Sequence, residues 1–235
     1  EALKARATRV VRYGAGSPYL DIRLPCGGGL DLHFAPLDDG AFAERCLASL
    51  NAREPFAIKV RPEGAQHHSG WQTNRFECDA GTGVCGQWPT ARLQIIGHGA
   101  GVEALTALGQ TLGCETRVLT PDDRIIQSLA ARGAAPKVLQ KRTDTAVLES
   151  DLWTAFIFLF HDHDWEIDLM ERALELPHFY LGAMGGRKAH AMRCEALGAR
   201  GVSQAKLDTI RAPIGVFHSS RDPHTLAHST LAEVI

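Results

Sequence analysis

The second part of the chain alternates between short apolar runs and longer runs with helical spacing. The apolar run at 154–160 is unbroken, as expected of a parallel strand that is buried on both faces. The repeated order of strand and helix predicts an α/β fold with a doubly wound, Rossmann-like parallel sheet. The predicted strands are 93–96, 116–119, 138–140, 154–160 and 179–182, and the predicted helices are 101–112, 122–131, 165–176, 187–197 and 222–234.

Local signals add detail to two of these helices. The helix predicted at 187–197 places Ala189, Met192 and Ala196 on one apolar face. The last helix has an N-cap candidate in Asp222, followed by Pro223 as its first residue, which is a favoured way to begin a helix.

The first part of the chain predicts a smaller α/β unit. Alternating residues favour strands at 8–13, 19–24 and 30–34, and a further strand at 56–60. A helix is predicted at 38–50, with Asp38 or Asp39 as its cap. The run 64–90 is rich in Gly, His, Thr and Gln, which predicts a loop with at most one hairpin. We therefore expect two domains, 1–90 and 91–235.

Composition narrows the class of protein. The 235 residues are 45% hydrophobic and 22% charged, typical of a globular chain with a real core. A formal net charge of −2 gives no support for binding to nucleic acid or to anionic membranes. The sequence shows no spanning run and no signal peptide, and its six cysteines are sparse, so we expect free thiols in the cytoplasm.

A glycine-rich turn follows the first strand of the predicted Rossmann sheet. The run 97–102 (GHGAGV) ends a strand and opens a helix, whose first amides can hold phosphate. Gly97 and Gly99 fit the dinucleotide pattern. Its third glycine is Val102 here, and the expected acidic residue after the second strand is Thr120. The alternative is a tight turn that binds no nicotinamide cofactor.

Two further runs follow strands of the same sheet. The run 161–164 (HDHD) makes His161, Asp162 and His163 candidates for ligand, metal or proton contacts, while Asp164 is a candidate helix cap. The run 182–188 (GAMGGRK) is a candidate for anion binding. Its members Gly185, Gly186 and Arg187 stand at the start of a helix, and solvated charges are the plainer alternative.

One cysteine stands in a turn between predicted strands. Cys26 precedes Gly27, Gly28 and Gly29, which have no side chains to cover the thiol. A thiol beside exposed amides is a candidate nucleophile or soft-metal ligand, and the alternative is a small buried hydrophobe. Cys46, Cys114 and Cys194 follow core-like patterns.

In their order, these runs resemble the xanthine dehydrogenase accessory protein family (XdhC/CoxI). The resemblance covers the chain from residue 14 to its end and is loosest between 64 and 90. The segments that carry it are 19–29 (YLDIRLPCGGG), 97–102, 161–163, 179–187 (FYLGAMGGR), 212–215 (APIG) and 231–234 (LAEV). An earlier family segment with a Gly-Gly-Cys motif is absent, and Phe217 stands where the family has Asp.

The resemblance implies a cytoplasmic chaperone of the molybdenum cofactor. Such a protein protects the cofactor, supports its sulfuration by a cysteine desulfurase, and inserts it into a molybdenum hydroxylase such as xanthine dehydrogenase. The implied fold is an N-terminal XdhC/CoxI domain, here expected to be truncated, followed by a Rossmann-like domain. A homodimer is a further expectation.

A binding hypothesis joins the resemblance to the residues. Molybdopterin is an anionic pterin phosphate, so its phosphate suits the glycine-rich helix starts at Gly97 and Gly185, with the pterin at a crest between the domains. Cys26 would approach the metal or its exchangeable ligand. The competing hypotheses are a nicotinamide-dependent oxidoreductase and a metal-dependent hydrolase that uses His161, Asp162 and His163.

Overall fold

The computed structural model describes most of the chain, in two compact units. The described residues are 2–5, 7–19, 23–37, 40–77, 81–217, 220 and 222–235, with only the backbone of residues 2, 3 and 163. The units are Glu1–Pro89 and Thr90–Ile235. Among the described residues, no helix combines the length and the apolar character needed to cross a bilayer.

The first unit contains an antiparallel hairpin. After a short helix α1 (Ala2–Ala5), strands β1 (Arg9–Gly14) and β2 (Gly29–Phe34) pair antiparallel. The strand predicted at 19–24 is different: residues 20–22 lie outside the described residues, and the rest of that range belongs to no strand. Cys26 therefore stands in the connection between β1 and β2.

A four-stranded antiparallel sheet completes the first unit. Helix α2 (Gly40–Asn51) precedes β3 (Phe56–Arg61), β4 (Gly64–Ser69), β5 (Arg75–Glu77) and β6 (Thr82–Gln87), in the order β4-β3-β6-β5. The prediction of a loop at 64–90 is wrong, because three strands lie in this range, although β5 and β6 do form the one hairpin that it allowed. Backbone pairing with β3 and β6 holds these strands, and their side chains are mostly exposed or half-buried, so they lack the apolar signal of strands.

The second unit has a five-stranded parallel sheet in the order β11-β10-β7-β8-β9. This order confirms the predicted Rossmann-like fold. Short 3-10 helices lie at Thr145–Val147 and His163–Trp165. The other elements are β7 (Arg92–Gly97), α3 (Ala100–Thr111), β8 (Glu115–Thr120), α4 (Asp123–Ala131), β9 (Lys137–Val138), β10 (Thr154–Leu159), α5 (Ile167–Ala173), β11 (Tyr180–Ala183), α6 (Arg187–Ala199), α7 (Gln204–Leu207) and α8 (Pro223–Val234).

Core packing occurs on both faces of this sheet. Phe156 and Phe158 of β10 pack into one cluster with residues of α5 and α6, whereas Ile157 packs into the other with α3 and α8. All six residues of β10 are buried. This explains the unbroken apolar run, because alternate side chains of a doubly covered strand all enter a core.

The order of the strands creates a switch point. Strand β7 lies between β8, which follows it in the chain, and β10, to which the chain returns later. In open α/β sheets, ligands bind outside the carboxyl ends of the strands at such a point. A ligand site is therefore expected at the carboxyl ends of β7 and β10, and at the end of β11 beside them.

Helix α6 buries a different face from the predicted one. Met192 is 57% exposed, whereas Arg193 and Leu197 are buried. Arginine on a helix reads as a solvent-facing residue because burial of its charge is costly without a partner. Here a buried carboxylate supplies that partner. The apolar stripe of this helix therefore does not identify its buried face.

Candidate functional site

The turn after β7 brings two strands unusually close. A Cβ at Gly97 would stand 2.4 Å from the carbonyl oxygen of Leu159, so only glycine fits the approach of β7 to β10. The His98 amide donates to the same carbonyl at 3.2 Å. Gly99 adopts φ +85° in open space, a conformation that favours glycine, and no side chain caps α3 behind it. The start of α3 thus faces the switch point.

Two residues depart from the dinucleotide pattern for structural reasons. Val102 is fully buried and belongs to the core between the sheet, α3 and α8. The buried Thr120 accepts a hydrogen bond from the amide of Asp122, whose carboxylate in turn caps α4. The end of β8 is therefore built as a turn and a helix cap, and Thr120 offers no carboxylate for a ribose.

The run 161–164 lies beside this turn. His161 is exposed, and its ring centroid lies 5.7 Å from that of His98. Asp162 accepts a hydrogen bond from the Asp164 amide at 3.0 Å, so Asp162 caps the 3-10 turn, in place of the predicted Asp164. Asp164 instead lies 3.6 Å from a guanidinium nitrogen of Arg142. The side chain of His163 lies outside the described residues.

A cavity of about 520 Å³ lies at the end of β11. This volume falls within the roughly 300–1,000 Å³ that is typical of small-ligand pockets. Gly185, Gly186 and Arg187, three of the predicted residues, line it. Gly186 precedes α6 without a side-chain cap, and a Cβ there would meet no atom within 4 Å. The remaining lining residues are Met184, Pro213, Ile214, Phe217, Ser220 and Leu226.

A buried ion pair holds the start of the glycine loop, which is formed by residues 184–186 between β11 and α6. Arg193 and Glu166 have no exposed side-chain surface, and their Nη2 and Oε1 atoms are 2.8 Å apart. The same Nη2 donates to the Met184 carbonyl at 2.9 Å. The pair links the start of the glycine loop to the segment after the 3-10 turn. The sequence gives no sign of this partnership, because the two residues are 27 positions apart.

A second carboxylate holds the backbone of Gly215, which lies between the lining residues Ile214 and Phe217. Glu233 of α8 accepts hydrogen bonds at 2.6 Å from the Tyr180 hydroxyl and from the Gly215 amide. Burial and the hydrogen bond to Glu233 raise the pKa of Tyr180 well above its usual range. Phe217 follows, its amide donating to Ser229 at 2.7 Å. Gly215 and Glu233 belong to the runs 212–215 and 231–234, and Tyr180 belongs to the run 179–187.

The predicted cysteine turn belongs to the first unit. Cys26 is an exposed free thiol, so its reading as a small buried hydrophobe is wrong. The Gly27 amide donates to the Leu24 carbonyl at 2.9 Å and closes the turn. Gly27 adopts φ +71° in open space, and a Cβ on Gly28 would lie 3.4 Å from the sulfur. Burial raises the pKa values of Cys46, Cys114 and Cys194.

The predicted residues of the second unit share one edge of the parallel sheet. Gly97 and Gly99 follow β7, His161 and Asp162 follow β10, and Gly185, Gly186 and Arg187 follow β11. Among the described side chains, which exclude that of His163, no three metal-ligating residues form a group that could hold a metal ion. The chemistry available at this edge is therefore backbone amides, imidazoles, the carboxylate of Asp162 and the cation of Arg187.

Comparisons with known proteins agree with this fold. A family model described as the XdhC Rossmann domain matches residues 93–234. The "Molybdenum cofactor insertion chaperone PaoD" of Escherichia coli (strain K12) is 34% identical over 241 residues, covering 100% of this chain and 67% of the relative. A crystal structure described as a xanthine dehydrogenase from Bacillus halodurans has a TM-score of 0.71 at 15% identity, covering 99% of this chain and 76% of the other, which is a likeness of fold. The chain belongs to the XdhC family, the xanthine dehydrogenase accessory proteins.

Proposed function

We propose that this chain is a molybdenum cofactor chaperone, which carries the cofactor as cargo and inserts it into a molybdenum enzyme. The observation that carries the proposal is its relationship, along the whole of this chain, to the E. coli protein named as a molybdenum cofactor insertion chaperone. A carrier of this kind needs selective and reversible binding, and it needs no catalytic group.

The cavity at the end of β11 is the proposed binding site for the phosphate part of the cargo. Gly186 leaves open space in front of the first turn of α6, where backbone amides favour an anion. Arg187 adds a cation at the same place, where it would otherwise oppose the helix dipole. Phe217 and Pro213 offer apolar surface to a planar ring.

The neighbouring strand ends extend the proposed site along the edge of the sheet. The amides at the start of α3, behind Gly97 and Gly99, and the imidazole of His161 are the proposed further contacts, because they stand at the switch point. Asp162 would act on this site through the backbone turn that it caps. His163 remains a proposed contact from the sequence alone.

The finer steps belong to the same proposal. The recipient would be a molybdenum hydroxylase of the xanthine dehydrogenase type, and a cysteine desulfurase would supply the sulfur of the cargo. The exposed thiol of Cys26, flanked by Gly27 and Gly28, is the proposed contact for the metal or its exchangeable sulfur ligand.

A binding experiment tests the central claim. The full chain is mixed without oxygen with isolated molybdenum cofactor, separated from free cofactor, and added to a cofactor-free hydroxylase. We expect about one cofactor per chain and activation of the hydroxylase. Affinity for NAD or NADP should be no better than roughly millimolar, about −4 kcal/mol. Micromolar nucleotide binding with hydride transfer would contradict the proposal, and a missing effect of the desulfurase would remove only the sulfuration step.

A further inference from the structure

The four-stranded sheet of the first unit has one strongly cationic face. Because alternate residues of a strand point to opposite faces, Lys59 and Arg61 lie on one face of β3, while Ile58 lies on the other. Across the sheet, Arg75 and Lys59 are both paired with Val84, which places Arg75 on the face of Lys59. Three cations therefore share one side of this sheet.

Helix α2 packs against the other side. Ser49 of α2 hydrogen-bonds His67 at 2.9 Å, and His67 is paired with Ile58 in the ladder of β3 and β4. His67 also stacks on the ring of Phe56, with centroids 5.1 Å apart. The cationic face is thus the face turned away from α2.

A pocket of about 240 Å³ is formed at these cations. Glu77 is the one carboxylate among its described lining residues, and it lies 3.8 Å from Arg75, so these residues together carry an excess of two positive charges. Within the described part of the chain, Lys59 and Arg61 form no ion pair with a carboxylate. The lining residues are Lys59, Val60, Arg61, Gln72, Arg75, Glu77, Thr82, Gly83 and Val84.

A histidine on the same face responds to this charge. His68 is paired with Ala57, two residues before Lys59, so it projects to the cationic side. Burial lowers the pKa of His68, and the charges of Lys59 and Arg61 lower it further. The positive potential of Lys59 and Arg61 therefore reaches His68, on the same face of the sheet as the pocket.

We propose that this pocket binds a phosphoryl group of a small molecule, at a site separate from the cavity beside β11. The guanidinium groups of Arg61 and Arg75 suit the oxygens of phosphate in fork geometry, and Lys59 adds a point charge. A phosphate carries about two negative charges at neutral pH, which matches the excess of the pocket. The volume lies below the roughly 300–1,000 Å³ of pockets that enclose whole drug-sized ligands, so it suits a phosphoryl group alone.

Inorganic pyrophosphate is the probe for a calorimetric titration of the full chain in about 0.1 M salt, where surface charges beyond about 10 Å are screened. We expect saturable binding that weakens at least about tenfold, or about 1.4 kcal/mol, in the variant with Lys59→Gln and Arg61→Gln. The matched control is Lys4→Gln, an exposed lysine of the same unit outside the pocket, which should bind like the wild type. Circular dichroism checks that each variant is folded.

Other outcomes would overturn the inference. If Gly186→Val abolishes pyrophosphate binding while the double variant retains it, the probe binds only at the proposed cofactor cavity. Equal affinity in the wild type and the double variant, or no saturation below millimolar pyrophosphate, would also contradict it. Tighter binding of an acidic peptide such as polyglutamate would identify the face as a protein contact. None of these outcomes bears on whether the chain retains molybdenum cofactor.

Discussion

The guanidinium of Arg193 holds the carboxylate of Glu166 at 2.8 Å inside the core of the second unit. Its Nε is within 2.9 Å of the same oxygen, and its Nη2 also reaches the carbonyl of Met184. One side chain therefore compensates a buried charge and fixes the start of the glycine loop. This relationship makes the loop geometry dependent on a pair that does not line the cavity.

Arg193→Met is expected to destabilise the second unit by about 3–5 kcal/mol, because it leaves the charge of Glu166 buried without its cation. The double change with Glu166→Leu should cost clearly less, since both charges are then removed. Urea unfolding measures both values. The control is Arg200→Met, whose ion pairs with Asp168 and Glu171 are partly exposed and are each worth about 0–1 kcal/mol. A single variant as stable as this control would show that the buried pair contributes little.

Gly186→Val tests the cavity beside β11. The new side chain has open space in the fold, but it would cover the start of α6 and keep a phosphate away from the amides. Cofactor binding should weaken by about 1–3 kcal/mol, the cost of polar groups left unpaired, while the unfolding free energy changes much less. Gly40→Val is the matched control, because Gly40 begins α2 in open space and lies outside the proposed site. Equal losses of stability and binding would favour a packing role for Gly186.

Tyr180 gives the second unit a pH dependence in the alkaline range. Its pKa in the folded chain lies above the ordinary value of 10.0, because burial and Glu233 disfavour the phenolate. The stabilisation is therefore complete below about pH 10 and is lost as the pH rises above this value toward the raised pKa of the folded state.

Tyr180→Phe removes this contribution together with the hydrogen bond to Glu233. The variant should be about 0.5–1.5 kcal/mol less stable at pH 8, and its stability should fall less steeply than that of the wild type above pH 10. Urea titrations at several pH values measure the two slopes. The raised pKa values of Cys46, Cys114 and Cys194 affect both proteins alike, so the difference isolates Tyr180. Parallel slopes would contradict the role assigned to this hydroxyl.

The parallel sheet could be predicted from the sequence because a strand that is buried on both faces has an unbroken run of apolar residues. The run 154–160 is apolar throughout, and Asp222 with Pro223 begins α8 as expected, its carboxylate accepting from the amides of His224 and Thr225. The strands at 64–69 and 82–87 have no such apolar run. Their residues are small or polar, and long-range pairing with β3, rather than local propensity, makes them strands.

The candidate site shows the same division. Gly185, Gly186 and Arg187 could be found from their position after a strand and before a helix, and they line one cavity. The buried pair of Glu166 and Arg193 could not be predicted, because a charged residue is expected to be exposed unless its distant partner is known. Likewise, the roles of Gly97 in strand approach and of Asp162 as a cap depend on neighbours that local spacing does not reveal.

Cys26→Ser and Cys46→Ser form a pair that separates binding from folding. Cys26 is exposed in a turn, so serine should preserve the unfolding free energy within about 0.5 kcal/mol. Cofactor retention, or activation of the recipient hydroxylase, should fall if the thiol contacts the cargo.

Cys46 is half-buried on α2, and burial raises its pKa, so a hydroxyl there should cost about 1 kcal/mol or more of stability. Its effect on activation should follow only from the fraction unfolded. Thermal melting and hydroxylase activation are measured on both variants. Full activation by Cys26→Ser would remove Cys26 from the proposed site, because an exposed thiol with no effect on stability or transfer has neither role.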